Sequence, residues 1–228
     1  MIKSTNMENT DLRLQRNDDG LALVGNGQIL RGDFTRMLPR IAPANLRGEL
    51  LVKAAKIKGS ERPLTIVDAT SGLGEDAFLL AAAGFFVQLY ERDAVIAALL
   101  QDALCRAAEI PELAAIVKRM QFFEADSLTA LPQLTALPQL TAAPDVILLD
   151  PMFPARQKSA LIKKKFQLLQ QLEQPCPDED ALMNAALTCH PRKIIVKRPL
   201  KGEYLAGRKP DYSLKGKSIR YDCILLPS

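Results

Sequence analysis

The sequence predicts an α/β protein built on a mostly parallel, twisted β-sheet, and three observations carry this prediction. Short apolar runs alternate with helical patterns from residue 64 onward. Two glycines, Gly72 and Gly74, follow the first of these runs where a helix begins. Acidic residues recur at the ends of four runs. Strands that alternate with helices imply parallel pairing through right-handed crossovers.

The predicted elements follow from the spacing of apolar residues. Strands are predicted over Leu64–Asp68, Phe85–Glu91, Met120–Asp126, Asp145–Asp150 and Lys193–Lys197. Helices are predicted over Asp76–Ala83, Ala94–Ala107 and Pro111–Arg119. Two further apolar runs, Tyr212–Leu214 and Ile219–Leu226, flank Lys215-Gly-Lys217 and predict an antiparallel hairpin that closes the sheet edge.

Residues 1–60 are predicted to form a small appendage to a domain over residues 61–228. Asn17-Asp-Asp-Gly20 separates Leu12–Arg16 from Leu21–Val24, a pattern typical of a β-hairpin. Gln28–Arg31 is a candidate third strand. Leu46–Lys58 carries an apolar stripe at helical spacing and is followed by Gly59, which predicts one helix.

Composition narrows the possible classes of protein. The chain has 228 residues, 48% of them hydrophobic, which suits one domain with a real core. The apolar runs are too short to cross a bilayer, and the first ten residues resemble no secretion signal, so we expect a cytoplasmic protein. Four cysteines without Cys-x-x-Cys spacing and a single histidine, His190, argue against a metal site or a disulfide scaffold.

Charge is unevenly distributed along the chain. Residues 156–220 carry 15 Lys and Arg against 6 Asp and Glu, although the whole chain has a net charge of only +4. Such a basic region indicates a polyanionic partner, with a solvated lysine-rich surface as the alternative.

A hexapeptide is repeated between the third and fourth strands. Leu128–Gln133 recurs as Leu134–Gln139, and a third copy begins at Leu140. Two units are too few for a solenoid. We interpret the repeat as a lengthened surface loop, because its prolines disfavour one long helix.

Four acids end four predicted parallel strands: Asp68, Glu91, Asp126 and Asp150. In an open α/β sheet these ends line one crevice in which ligands bind. The glycine turn beside them lets backbone approach a ligand closely. A nicotinamide-binding domain shares these features, but the window Thr70–Glu75 lacks the first glycine of Gly-x-Gly-x-x-Gly.

The fourth acid begins Asp150-Pro-Met-Phe153, which resembles the Asp-Pro-Pro-Tyr motif of methyltransferases that act on exocyclic amines of nucleic-acid bases. Acceptors on the amine hydrogens, here the Asp150 carboxylate and the Pro151 carbonyl, favour a pyramidal nitrogen with a localised lone pair. The ring of Phe153 can stack on an extruded base. Asp150, Pro151 and Phe153 are therefore the candidate catalytic residues. A proline turn after a strand is the alternative.

The chain from about Arg47 to its end resembles the ribosomal RNA small subunit methyltransferase J family, bacterial 16S rRNA guanine-N2 methyltransferases. The resemblance lies in Val67–Phe78, Glu91-Arg92, Asp150–Pro154 with Gln157–Leu161, and Val196–Pro199. It implies a Rossmann-like class I methyltransferase fold, S-adenosylmethionine as cofactor, and small-subunit rRNA or the 30S subunit as partner.

The resemblance also implies cofactor contacts, which fall on Glu75, Asp76, Glu91, Arg92, Asp126, Ser127 and Asp150. The crevice argument adds Asp68 and Gly72. Glu91 is expected to accept from both ribose hydroxyls, and Asp126 from the adenine amine. Glu75 stands where a basic residue is expected, so its contact is predicted through the backbone.

Basic residues after the fourth and fifth strands are predicted to meet rRNA phosphates, which gives salt-dependent affinity. They are Lys158, Lys163, Lys164, Lys197, Arg198 and Lys201. Three other functions stay open at this point. They are an adenine-N6 DNA methyltransferase, a non-catalytic rRNA-binding assembly factor, and a nicotinamide-dependent oxidoreductase.

Overall fold

The computed structural model describes residues 12–25, 27–136, 143–151 and 178–227. They form a seven-stranded sheet flanked by helices, and a separate three-stranded sheet. Within these ranges no helix is both long and apolar enough to cross a membrane.

The strands are β1 (Arg13–Asn17), β2 (Gly20–Gly25), β3 (Gln28–Leu30), β4 (Thr65–Asp68), β5 (Phe86–Glu91), β6 (Met120–Glu124), β7 (Val146–Leu149), β8 (Lys193–Pro199), β9 (Tyr212–Lys215) and β10 (Ile219–Leu225). The α-helices are α1 (Leu38–Ile41), α2 (Pro43–Leu46), α3 (Leu50–Ala55), α4 (Glu75–Ala82), α5 (Ala94–Ala108), α6 (Pro111–Val117), α7 (Ser127–Ala136) and α8 (Glu179–Thr188).

The large sheet has the strand order β6-β5-β4-β7-β8-β10-β9. The first five are parallel, and β10 runs antiparallel between β8 and β9. This confirms the predicted parallel sheet with a C-terminal antiparallel hairpin. Chain order reverses between β4 and β7, and ligands of open α/β sheets bind at such a reversal.

Two apolar layers sandwich the sheet. Ile66 and Leu148 face the layer that contains α3 to α6, whereas Val67 and Ile147 face the layer that contains α7 and α8. All four side chains are fully buried or nearly so. Strands covered on both faces read as continuous apolar runs, which explains why the sequence pattern located them.

The small sheet β1-β2-β3 is antiparallel, as the hairpin pattern predicts. Leu23 and Leu30 pack against Ile96 and Leu99 of α5. The division of the chain near residue 60 stays a prediction, because α3 shares one apolar core with α4.

The predicted helix over Leu46–Lys58 is correct only over Leu50–Ala55, because the chain is not helical just before Leu50 and is extended again at Lys56. The chain forms α2, leaves helical geometry at Glu49, and resumes as α3. Glu49 is extended, with φ −61° and ψ 125°. Its carboxylate accepts two hydrogen bonds from the Arg40 guanidinium, at 2.7 and 2.9 Å. This tertiary pairing favours the break over a continuous helix.

The prediction that the hexapeptide repeat forms a surface loop is wrong for the first unit. Leu128–Gln133 lies in α7, and Pro132 is inside this helix. An internal proline costs about 3 kcal/mol, because it lacks an N–H donor and crowds the preceding turn. Leu131 is completely buried in the layer that contains α8, and this packing offsets the cost. Residues 137–142 lie outside the described residues.

A buried carboxylate, Asp145, aligns the amino ends of three strands. It accepts hydrogen bonds from both Nη atoms of Arg62 at 2.8 Å and from the Thr65 backbone N–H at 2.9 Å. Arg192, just before β8, lies 3.4 Å away. These bonds fix β4, β7 and β8 relative to one another, and so fix where their carboxyl ends meet.

We expect Asp145→Ala to lower the free energy of unfolding by about 2–4 kcal/mol, because it leaves a buried N–H and two guanidinium groups without their acceptor. Arg62→Ala should cost about 1 kcal/mol or less, since the Arg62 side chain is 61% exposed. Urea unfolding of both variants measures the difference. Equal losses would contradict the central role given to Asp145.

Candidate active site

The turn between β4 and α4 forms the floor of the site. Gly72 and Gly74 adopt positive φ angles of 54° and 75°. A Cβ on Gly74 would lie 2.7 Å from Leu100 Cδ1, so a larger residue is strained by both conformation and space. The turn is tied to β5, because the Ser71 N–H donates to the Tyr90 carbonyl at 3.1 Å.

Glu91, at the end of β5, reaches across to this turn. Its Oε2 accepts from the Gly72 N–H at 2.9 Å, and its Oε1 accepts from the Asp93 N–H at 2.8 Å. Burial raises the pKa of Glu91, and the backbone hydrogen bonds oppose that rise. Each carboxylate oxygen keeps a second acceptor position, so the group can still bind hydroxyls.

Asp126 lies between β6 and α7. Its Oδ1 accepts from the Leu128 N–H at 2.9 Å, and its Oδ2 lies 4.0 Å from Arg92 Nη1. The Asp126 side chain is 37% exposed, whereas the neighbouring Ser127 is buried. Asp126 therefore presents one oxygen to the crevice beside Arg92.

Asp150 follows β7 at the point where the chain order of the sheet reverses. Its N–H donates to Thr70 Oγ1 at 2.7 Å, which binds it to the glycine turn. Its Oδ2 lies 2.8 Å from Lys197 Nζ on the neighbouring strand β8. The same Nζ lies 2.6 Å from Asp76 Oδ2 at the start of α4. We call Asp76, Lys197 and Asp150 the charged triad.

The contacts within the charged triad change the pKa values of Asp150 and Lys197. Desolvation raises the pKa of Asp150, and the adjacent Lys197 ammonium opposes this. Desolvation alone would lower the pKa of Lys197, but Asp76 and Asp150 together raise it well above its ordinary value. Lys197 is therefore a permanent cation, held between two carboxylates.

Asp68 lies deeper, at the end of β4. Burial, reinforced by the charge of Asp76, raises its pKa to about 8. Its Oδ1 accepts from the Thr70 N–H at 3.2 Å. Asp68 is thus largely protonated at neutral pH, and a cation that binds near it would favour its ionised form.

The structure brings most of the predicted site residues to one edge of the sheet. These are Asp68, Gly72, Glu75, Asp76, Glu91, Arg92, Asp126, Ser127, Asp150 and Pro151. Phe153, Lys158, Lys163 and Lys164 lie outside the described residues. Among the residues that the structure does describe, no group of three His, Cys, Asp or Glu side chains is arranged to hold a metal ion.

The three remaining predicted RNA contacts have different surroundings. Lys201 is exposed just beyond β8, at the carboxyl end of the strand. Lys197 belongs to the charged triad, so its ammonium is engaged within the crevice. Arg198 does not reach the surface: its side chain is 1% exposed, and it donates to Glu179 and to the Glu203 carbonyl. This position indicates a structural role for Arg198.

Sequence reasoning missed Thr70 and Tyr221. Thr70 contacts both Asp68 and Asp150, although nothing in its sequence context distinguishes it from an ordinary turn residue. Tyr221 on β10 lies opposite Lys197 and is buried. Only the antiparallel register of β8 and β10 reveals that neighbour relation.

Three comparisons show which known proteins this chain is similar to. Residues 2–226 match the family model described as "Putative SAM-dependent methyltransferase". The chain is 45% identical to Ribosomal RNA small subunit methyltransferase J of Thioalkalivibrio sulfidiphilus over 80% of this chain and 70% of that protein. It is 46% identical to the protein of the same name from Aeromonas salmonicida, over 79% and 70%.

The fold also matches a solved structure. A SAM-dependent methyltransferase from Neisseria gonorrhoeae superimposes with a TM-score of 0.76 and 31% identity. The superposition covers 97% of this chain and 85% of that one. The strand order and the crevice described above therefore belong to a known architecture.

We expect Lys197→Met to raise the pKa of Asp150, because the variant removes the cation that opposes desolvation of the carboxylate. Lys197→Arg keeps the charge and should keep this pKa close to its wild-type value. Carbon-13 NMR titration of labelled aspartates measures both variants. Titration of Asp150 at an unchanged pH in the Met variant would show that Lys197 does not control its charge.

A second expectation concerns Asp68. Because its pKa in the folded protein exceeds that in the unfolded chain, the ligand-free protein should lose stability as pH rises from about 4 to about 8. Asp68→Asn keeps the acceptor oxygen and removes the ionisation. The variant should therefore be more stable than wild type at pH 8, with a difference that shrinks toward pH 4. Urea unfolding across this range tests it, and a pH-independent difference would refute it.

Proposed function

The chain belongs to the family of SAM-dependent methyltransferases, and we propose that it methylates the exocyclic N2 amine of a guanosine in small-subunit (16S) ribosomal RNA. Two observations support this substrate. The relatives at 45–46% identity are named for small-subunit rRNA. The crevice ends in Asp150-Pro151, two acceptors suited to an amino group. We further propose that the enzyme works in the bacterial cytoplasm, on rRNA or the 30S subunit.

The crevice residues fit S-adenosylmethionine, whose sulfonium and ammonium groups are cationic. Asp76 and Glu91 supply negative charge around the glycine turn, and a bound cation would favour the ionised form of the nearby Asp68. We propose that Glu91 accepts from the ribose hydroxyls and that Asp126, beside Arg92 and Ser127, accepts from the adenine amine. Gly72, with the backbone of Glu75 and Asp76 at the start of α4, would hold the methionine end. When bound, the cofactor supplies a methyl group activated by its sulfonium.

Asp150 is the residue proposed to accept a hydrogen bond from the target amine. Its Oδ2 is held by Lys197, whereas its Oδ1 accepts no hydrogen bond from the residues that the structure describes. Oδ1 is thus available to an amine hydrogen, and the Pro151 carbonyl is available to the other. Both hydrogen bonds favour a pyramidal nitrogen, whose lone pair is no longer delocalised into the ring and can point toward the methyl group.

The same carboxylate is the proposed proton acceptor. The nitrogen becomes cationic as it gains a methyl group, so it must release a proton. Asp150 can accept this proton because the Lys197 ammonium, 2.8 Å from its Oδ2, favours the ionised carboxylate. We propose that Phe153 stacks on the guanine. Phosphates are proposed to bind to four lysines, Lys158, Lys163, Lys164 and Lys201.

We expect Asp150→Ala to reduce methyl transfer to 30S subunits that lack the modification by at least about 100-fold, because it removes both the amine acceptor and the proton acceptor. Incorporation of labelled methyl groups measures the loss, and mass spectrometry should identify N2-methylguanosine as the wild-type product. Lys118→Ala, on the opposite sheet edge, serves as the control variant.

Three results would contradict this proposal. Persistent activity of Asp150→Ala would remove the catalytic assignment. Methylated adenine, or a preference for DNA offered in parallel, would favour an adenine-N6 enzyme. Binding of rRNA without calorimetric binding of S-adenosylmethionine would favour a non-catalytic assembly factor.

A further inference from the structure

A pocket of about 620 Å³ lies between the β9–β10 hairpin and the helices that precede β4. Its apolar side is formed by Leu50, Ile219 and Tyr221, and its other side includes Asn45 and Gly48. Nothing in the proposed catalytic steps uses this pocket. We call it the hairpin groove.

The groove opens at the same sheet edge as Asp150. Tyr221 lies opposite Lys197 in the register of β10 and β8, and Ile219 lies opposite Pro199 at the carboxyl end of β8. Neighbouring strands are about 4.8 Å apart, so β10 lies roughly 10 Å from β7, the strand that presents Asp150. A chain bound in the groove could therefore continue directly to the catalytic carboxylate.

Exposed cations stand on both sides of the groove. Lys215 and Lys217 flank the hairpin turn, and Arg47 lies in the chain between the lining residues Asn45 and Gly48. None of the three forms an ion pair with another residue in the described ranges. The turn packs closely on the other wall, since a Cβ on Gly216 would lie 3.2 Å from Leu50 Cδ1.

The acid inside the groove is already neutralised. Glu49 lines the pocket, but both of its carboxylate oxygens accept from Arg40. A fourth cation, Lys201, lies next to the hairpin, because the adjacent Leu200 N–H donates to the Ser218 carbonyl at 3.2 Å. Positive groups thus border an apolar floor without a competing free carboxylate on the groove walls.

From this arrangement we propose that the hairpin groove binds the single-stranded RNA segment next to the methylated nucleotide. This inference rests on the proposed function. Lys215, Lys217 and Arg47 hold phosphates, and the half-buried Leu50 and Ile219 receive one unstacked base. Unstacked bases beside a basic track are how proteins commonly hold single strands.

Charge reversal on the hairpin tests the phosphate contacts. The double variant Lys215→Glu/Lys217→Glu should raise KM for 30S subunits at least about tenfold and change kcat less than about twofold. The slope of log affinity against log salt should become shallower by about 1.4, since each single-strand phosphate contact contributes about 0.7.

A matched control keeps the same change in net charge. Lys58 and Lys118 are exposed and precede β4 and β6, at the opposite edge of the sheet. Lys58→Glu/Lys118→Glu should change KM less than about twofold. Asn45→Trp tests the pocket itself, because it fills the groove without altering charge and should raise KM with unchanged affinity for S-adenosylmethionine.

Several outcomes would overturn the groove assignment. If both double variants raise KM equally, the effect is general electrostatic attraction and not a contact at the groove. If neither variant changes KM, Lys215 and Lys217 do not contact the RNA. Weaker calorimetric binding of S-adenosylmethionine to Asn45→Trp would assign the pocket to the cofactor. Filter binding to rRNA separates this inference from the proposed function. One result would support the groove assignment and contradict the proposed reaction. In that result the wild-type protein binds RNA, the Lys215→Glu/Lys217→Glu variant does not bind it, and the wild-type protein methylates no RNA.

Discussion

The site depends on one ammonium group that is shared by two carboxylates. Lys197 contacts Asp76 at the start of α4 and Asp150 at the end of β7, and it comes itself from β8. Three elements that are distant in the chain thereby meet at a single atom. Without that cation, two carboxylates close to the buried Asp68 would repel one another, and the pKa of Asp150 would rise further. The pairing allows an acid-rich crevice to exist inside a folded protein.

Hydrogen bonds elsewhere in the sheet hold the elements that carry this interaction in fixed positions. Asp145 holds three strands together at their amino ends, so their carboxyl ends converge with little freedom. Thr70 and Glu91 connect the glycine turn to β7 and β5 at the other edge. The glycine turn and Asp150 therefore share the same backbone supports.

The sequence allowed the sheet to be predicted because β4 and β7, at its centre, are apolar on both faces and each run ends at an acid. The strand-end carboxylates and the two glycines of the turn were found in the same way. The function of Lys197 was not found, because its partners lie 121 and 47 positions away and the adjacent Arg198 is also basic. Arg198 looked identical in sequence, yet alternation along β8 directs it to Glu179. The helical α7 and the break before α3 were missed because packing and an ion pair outweighed local preferences.

The position of β10 has a consequence for how the protein tolerates damage. The strand is the latest in chain order, yet it lies inside the sheet between β8 and β9. Loss or unfolding of β10 would detach β9 and leave the backbone N–H and C=O groups of β8 unpaired. An uncovered apolar strand of this kind recruits other chains by edge-to-edge association. We therefore expect a molecule that has lost β10 to aggregate rather than to remain dispersed in solution.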